Sequence, residues 1–528
     1  MKIVDIDLSP EQYHLPEQRR QAVARAMGLA ESDIAGIAVV RRSIDCRRRN
    51  VMYHTTLSVR LQGEAEPMAA PVADPYRDCH DALPVVIVGA GPAGLFAALK
   101  ALELGLKPVI VERGKPVSER KYDIAAITRQ KRVDPDSNWC FGEGGAGTYS
   151  DGKLYTRSTK RGDVGAVLRT FVAHGADPDI MLDAHAHIGT DRLSAIIASM
   201  RNTIETHGGE YHFNTRVVDL VVSDGAVKGV VTTGGTIDAQ AVVLATGHSA
   251  RDIYQLFHRH GWLLEAKPFA LGVRVEHPQE LINEIQYHGG GYSRLLPAAA
   301  YSLTTQVYSS NQAVGQSGNP HGVFSFCMCP GGVIVPAATA DGQQVVNGMS
   351  NSHRNSPFAN SGIAVTVGLD DVADKDVFAL LRFQQEVEAR MFHAAGDTVD
   401  APSQRLTDFL RRRPSGTLNP SGYMGRCVNS PLHELLPKFI VDALIQGFKD
   451  FDRKMRGFVT EQASLLAVES RTSSPVRIPR DKLTLQHPQL QGLYPCGEGA
   501  GYAGGIVSSA LDGMRCMEEC AKRFESSR

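Results

Sequence analysis

Charge of one sign is what this sequence lacks most plainly. Its 528 residues carry 56 Lys and Arg against 57 Asp and Glu, a net charge of −1. No basic field argues for nucleic acid, and no acidic tail argues for a basic partner. No stretch approaches the roughly 18 consecutive apolar residues of a membrane-crossing helix, so no membrane partner is expected. The opening MKIVDIDLSPEQYHLPEQRR has no basic segment followed by an apolar core and does not read as an export signal. Cysteine is sparse: nine residues without regular spacing, and no Cys/His set with zinc or iron–sulfur spacing. Reduced thiols in a cytoplasmic protein are expected, with no disulfide framework and no metal.

What is present is concentrated in PVVIVGAGPAGLFAALKALELGLKPVIVERG, residues 84–114. A short apolar strand runs into Gly89, Gly91 and Gly94, spaced G-x-G-x-x-G. Gly89 permits the tight turn, Gly91 a close approach to a pyrophosphate, and Gly94 close packing of helix on strand. Gly105 ends the helix, KPVIV forms the next strand, and Glu112 follows where a carboxylate can meet a ribose hydroxyl. The whole βαβ context is in place, so the segment predicts a dinucleotide site.

The length suggests two to four domains. Residues 1–61 read as a small α+β module, βαββ and ferredoxin-like. Its cluster Arg41, Arg42, Arg47, Arg48 and Arg49 is too short for an extended phosphate footprint. It is read as a solvated strand end or a contact to the neighbouring domain. Residues 62–82 read as a linker. The glycine-rich run 139–157, WCFGEGGAGTYSDGKLYTR, bares its backbone at Gly144 and Gly145 for close approach to a flat ligand or its phosphates. Residues 212–247 read as a β meander ending in the buried strand AVVLATG. Strand-like runs and two amphipathic helices, around 376–392 and 433–448, fill an inserted α+β substrate domain, 266–460. The remaining pieces, 83–265 and 461–528, form an α/β, three-layer Rossmann-like domain closed by LYPCGEGAGYAGGI and a C-terminal helix.

VVIVGAGPAGL, VIVERG, AVVLATG and LYPCGEGAGYAGGI together are similar to the FAD-binding core of the glutathione-reductase-like flavoproteins. RRSID, FGEGGAGTYSDGKL, FCMCPGG, NGMS, ESRTSSPVRI and GEGAGYAGGIVSSALDG span almost the whole chain. As a set they resemble the FAD-dependent dehydrogenases also called NAD(P)/FAD-dependent oxidoreductases. The resemblance implies bound FAD and no particular substrate. It places Gly89, Gly91 and Gly94 on the pyrophosphate and Glu112 on the adenosine ribose, with Arg113 beside it. It sets Arg120 against a phosphate and the backbone of Val217 at the adenine, and closes Thr246 and Gly247 over the cofactor. Gly497 and Glu498 match the pair that holds the ribityl chain, with Glu where Asp is usual. Gly505 and Ile506 begin the last helix, whose N-terminal amides can stabilise negative charge on reduced flavin.

The expected activity is hydride transfer between FAD and a small organic substrate, with NAD(P)H a candidate transient donor. A flavin-dependent monooxygenase and an RNA-associated flavoprotein stay open as alternatives. Acid–base and anion-binding candidates are His353, Arg354, Glu469 and Arg471. His353 and Arg354 directly follow NGMS and are expected to project into the substrate pocket. Cys327 and Cys329, two apart on a strand, are expected to share one face as packed, reduced thiols. His185 and His187 are read as structural. The substrate pocket is expected between residues 144–150, the FCMCPGG and NGMS strands, and residues 502–505.

Overall fold

The computed structural model describes residues 1–66, 74–156, 162–289, 295–308 and 320–525. Part of the expected linker, 67–73, and the last residue of the glycine-rich run, Arg157, lie outside the described residues.

The N-terminal module opens with strand Lys2–Leu8, followed by helices Pro10–His14 and Pro16–Met27. Ser9 and Gln12 form a reciprocal capping box at the first helix, and Gly28 closes the second at φ +65°. Strands Ile34–Asp45 and Met52–Leu61 complete an antiparallel sheet with the third strand in the centre. This split order is the first half of a ferredoxin-like sheet. The module docks through the basic cluster: Arg42 pairs with Asp183 at 2.5 Å and Asp179 at 3.0 Å. Its backbone also bridges to Leu182 and Ala184. Arg47 instead pairs with Asp45 on the module itself.

Five parallel strands form the dinucleotide-binding sheet, in the order Leu493–Pro495, Val242–Leu244, Pro84–Val88, Lys107–Val111, Glu210–His212. The fingerprint strand is central and buried at all but its first residue, as a continuous apolar run in a parallel sheet should be. Helices Pro92–Leu104 and Ile506–Glu525 pack together on this sheet. The meander Val217–Ser223, Ala226–Thr232, Gly235–Asp238 forms a separate three-stranded sheet. Its first turn takes Asp224 and Gly225 to φ +53° and +71°, the two positive values of a tight hairpin turn.

A seven-stranded sheet occupies the later half. Its order is Thr304–Val307, His321–Cys329, Phe358–Val367, Phe269–Pro278, Ser464–Glu469, Ala401–Arg405, Cys427–Asn429. Phe269–Pro278 is buried along nine of its ten residues. Helix Lys438–Lys454 packs its apolar side on this sheet, as does the hairpin Gly332–Pro336 with Val346–Ser350. Strand Ser464–Glu469 corrects one expected boundary. It was assigned to the C-terminal piece 461–528 of the Rossmann-like domain, but it pairs with Phe269–Pro278 inside the seven-stranded sheet.

Candidate active site

A cleft of about 710 Å³ lies where the strand ends of the parallel sheet face the seven-stranded sheet. Cofactor and small-molecule sites run from roughly 300 to 1,000 Å³. Gly89, Gly91, Glu112, Arg113, Gly145, Val217, Thr246, Gly247, Glu498, Gly505 and Ile506 all line it.

Gly91 caps helix Pro92–Leu104 without any side chain, leaving the first-turn N–H groups open. A Cβ added there would enter the cleft, its nearest neighbour the Cα of Gly145 at 3.8 Å. A second helix begins on the same cleft at Ile506, preceded by Gly504 and Gly505. The bare end of helix Pro92–Leu104 and the start of the helix at Ile506, beside unencumbered backbone, make a diphosphate cradle. This arrangement fits FAD.

Glu112 lines the cleft, and its carboxylate accepts N–H groups from Ala90 at 2.8 Å and from Gly114 and Gly142 at 2.9 Å. Three of about four acceptor positions are thus used. The side chain clasps two glycine turns, with one position left for a ligand. Arg113 ion-pairs with Asp136 and Asp252 and stands over the ring of Phe141 at 4.3 Å.

Gly94, Gly144, Gly497 and Arg120 do not line the cleft. Gly94 packs behind it, where a Cβ would lie 1.9 Å from the carbonyl oxygen of Gly89. Gly144 donates to Ala90, and Gly497 donates to Asp512 at 2.8 Å. The expected phosphate contact of Arg120 is corrected. Its guanidinium is fully buried and donates to the carbonyls of Asn138, Gly142 and Glu143 and to Thr148. It holds the glycine-rich loop from beneath.

The opposite end of the cleft is lined by Phe326, Cys327, Asn347 and Gly348 from the seven-stranded region and its hairpin, with Asp151 and Lys153 from the glycine-rich run. Residues 145–147 with Ser150, and 502–505, also line the cleft. A bulge between Phe326 and Cys329 breaks the strand alternation, and Cys327 sits at φ +44°. The expected shared face is therefore wrong. Cys327 is exposed on the cleft, whereas Cys329 is buried.

Four further expectations are corrected. His353 is exposed and off the cleft. Arg354 also lies off the cleft, at φ +51°, and reaches it only by pairing with Asp151 at 2.8 Å. Glu469 is buried against Arg274 at 2.7 Å. Arg471 does line the cleft, but its five donors go to Glu388 twice, Ser249, Thr339 and Gln343. None is left to grip a substrate carboxylate.

Sequence reasoning gave no role to His248, Asp151 or Lys153. His248 follows ATG directly, and the other two stand in the quoted DGKL; their position beside glycine turns was the available signal. His248 hydrogen-bonds Ser249 at 2.9 Å and faces Glu498 at 3.7 Å. Burial, with the Arg471 and Arg251 charges, holds its pKa down at about 4, so it is neutral at pH 7. Burial pushes the Glu498 carboxyl up.

Fold and cleft define an FAD-dependent oxidoreductase. Residues 83–256 match the family described as pyridine nucleotide-disulphide oxidoreductase, and residues 268–472 match the FAD-dependent protein, C-terminal domain-like family. Residues 1–60 match a domain of unknown function. The chain belongs to one family with an uncharacterized protein of Clostridium beijerinckii, 38% identical over 524 residues, 95% of each chain. It is also 31% identical to a digeranylgeranylglycerophospholipid reductase of Methanothrix thermoacetophila, over 30% of this chain and 37% of that protein. A distant likeness is a geranylgeranyl bacteriochlorophyll reductase-like structure from Thermoplasma acidophilum. It has a TM-score of 0.33 at 12% identity and covers 84% of this chain and 80% of that one. No helix among the described residues is long and apolar enough to cross a membrane.

Proposed function

We propose that the protein moves a hydride between bound FAD and a small organic substrate, as a dehydrogenase or reductase of the glutathione-reductase-like kind. One observation carries this reading. The cleft that holds the glycine turns and helix ends is walled at its other end by the seven-stranded region. FAD, when bound, supplies a ring that accepts or releases hydride. Gly91, Gly145 and the start of helix Ile506–Glu525 would hold its diphosphate and charge. Glu498 and neutral His248 face each other on the cleft wall. Phe326, Cys327, Asn347 and Gly348 orient the substrate and exclude water. Gly499, Gly501 and Gly504 repeat the G-x-G-x-x-G spacing between strand Leu493–Pro495 and helix Ile506–Glu525, but on the same parallel sheet as the first set, so they supply no separate dinucleotide-binding domain. NADH or NADPH would therefore act as a transient visitor to this cleft. The partial likeness to a reductase supports the reductive direction.

The test is anaerobic titration of the purified yellow protein with NADH, NADPH and a panel of small organic acids and alkenes, following bleaching of the flavin band. Bleaching by a donor, and recovery on adding an acceptor from the panel, is the expected result. A protein that cannot be loaded with FAD would overturn the proposal.

A further inference from the structure

Two polar groups at the sheet end of the cleft are not fully answered by the described residues. Asp151 is 4% exposed. Its Oδ2 accepts from Arg354 at 2.8 Å, while its buried Oδ1 has no hydrogen-bond partner among the described residues. A buried acceptor left unsatisfied is destabilising, and a ligand N–H or O–H would relieve it. Lys153, two residues on, also lines the cleft. Among the described residues no carboxylate lies within ion-pair distance of its ammonium. Because Arg354 already balances Asp151, Lys153 is left as an uncompensated cation facing the cleft.

Cys327 marks the same place. The bulge turns it onto the cleft wall. Of the charges around the Cys327 and Cys329 thiols, the Lys153 ammonium lowers both most strongly. Lys153 and Cys327 line the same cleft. The diphosphate cradle is built elsewhere, from Gly91, Gly145 and the two helix ends, and does not call on Lys153.

We propose that Lys153, Asp151 and Cys327 form the recognition end of the substrate site, for a small organic acid that carries a hydroxyl or amino donor near its carboxylate. Lys153 takes the carboxylate, Asp151 Oδ1 accepts the neighbouring O–H or N–H, and Cys327 lies against the carbon between them. This rests on the reading that the substrate enters at the sheet end of the FAD cleft.

Paired alkylation of the FAD-loaded protein tests it without turnover. Iodoacetate presents a carboxylate on the carbon that reacts; iodoacetamide is its neutral counterpart. In each case the thiolate sulfur of Cys327 displaces iodide, forming an S–CH2 bond, and the thiol proton passes to solvent. Peptide mass spectrometry follows Cys327, with half-buried Cys46 as the internal reference. The iodoacetate-to-iodoacetamide rate ratio at Cys327 should exceed that at Cys46 by at least tenfold and should saturate. Lys153→Gln should abolish the preference with FAD content unchanged, and Lys153→Arg should retain it. The measurement on the unsubstituted protein needs no variant to fold. An unreactive Cys327, a ratio equal to that of Cys46, a preference surviving Lys153→Gln, or FAD loss in that variant would each overturn the proposal. Failure to bind FAD at all would strike the functional reading instead, and it is measured separately.

Discussion

Arg471 and Glu388 meet through two hydrogen bonds, Nε to Oε1 at 3.1 Å and Nη2 to Oε2 at 3.2 Å, with Glu388 sealed from solvent. Arg251 donates to the same carboxylate at 2.8 Å, and Arg471 also reaches Ser249. One buried carboxylate thus joins helix Ala379–Ala394, the end of strand Ser464–Glu469, and the start of helix Arg251–Arg259. Burial opposes its charge, but Arg251 and Arg471 hold its pKa at about 2.

Glu388→Gln should therefore be costly. It leaves two buried guanidinium groups without their shared anion, and breaking such a pair from one side costs about 3–5 kcal/mol. The denaturant midpoint should fall accordingly. An unchanged midpoint would show that the network contributes nothing to folding.

Glu276 should make stability depend on pH in the opposite sense to most carboxylates. Its Oε1 accepts from Gly422 at 3.0 Å, and burial raises its pKa from 4.5 to about 7. The folded state holds this proton more tightly than the unfolded chain. The carboxyl therefore favours folding fully below about 4.5, and that contribution is lost as pH rises through 7. Glu276→Gln should be more stable than the natural chain at pH 8, by on the order of 2 kcal/mol. Thermal melts at pH 8 and pH 5 should show the gap narrowing at the lower pH.

Gly91→Val should remove FAD and spare the fold. The added side chain enters the cleft without touching protein atoms closer than 3.8 Å at its Cβ. The diphosphate would lose its approach to the backbone. Bound flavin, read by absorbance after purification and identified as FAD on release, should fall at least tenfold while circular dichroism is retained.

His353→Ala should change little. The residue is exposed and away from the cleft, where substitutions usually shift stability by no more than about 0.5 kcal/mol. FAD content and the rate of flavin reduction by any active donor should match the natural chain. A large loss of rate would return His353 to the site.

The sequence by itself determined the features written in neighbouring residues. A strand, a glycine turn and a helix follow one another between Pro84 and Leu104, so backbone sterics and apolar period suffice to place the cradle. The same holds for the hairpin turn at Asp224–Gly225 and for the helix that starts at Ile506. Only the tertiary structure decided which polar side chains serve the cleft. The direction of Cys327 depends on a bulge that an even strand period cannot announce. Arg354 turns away from the cleft in a left-handed conformation just past its strand. The other charged residues singled out along the chain were already spent on distant partners: Glu469 on Arg274, 195 residues away, and Arg471 on Glu388, 83 residues away. Burying a charge requires a partner at hydrogen-bond distance, and long-range packing alone supplies it.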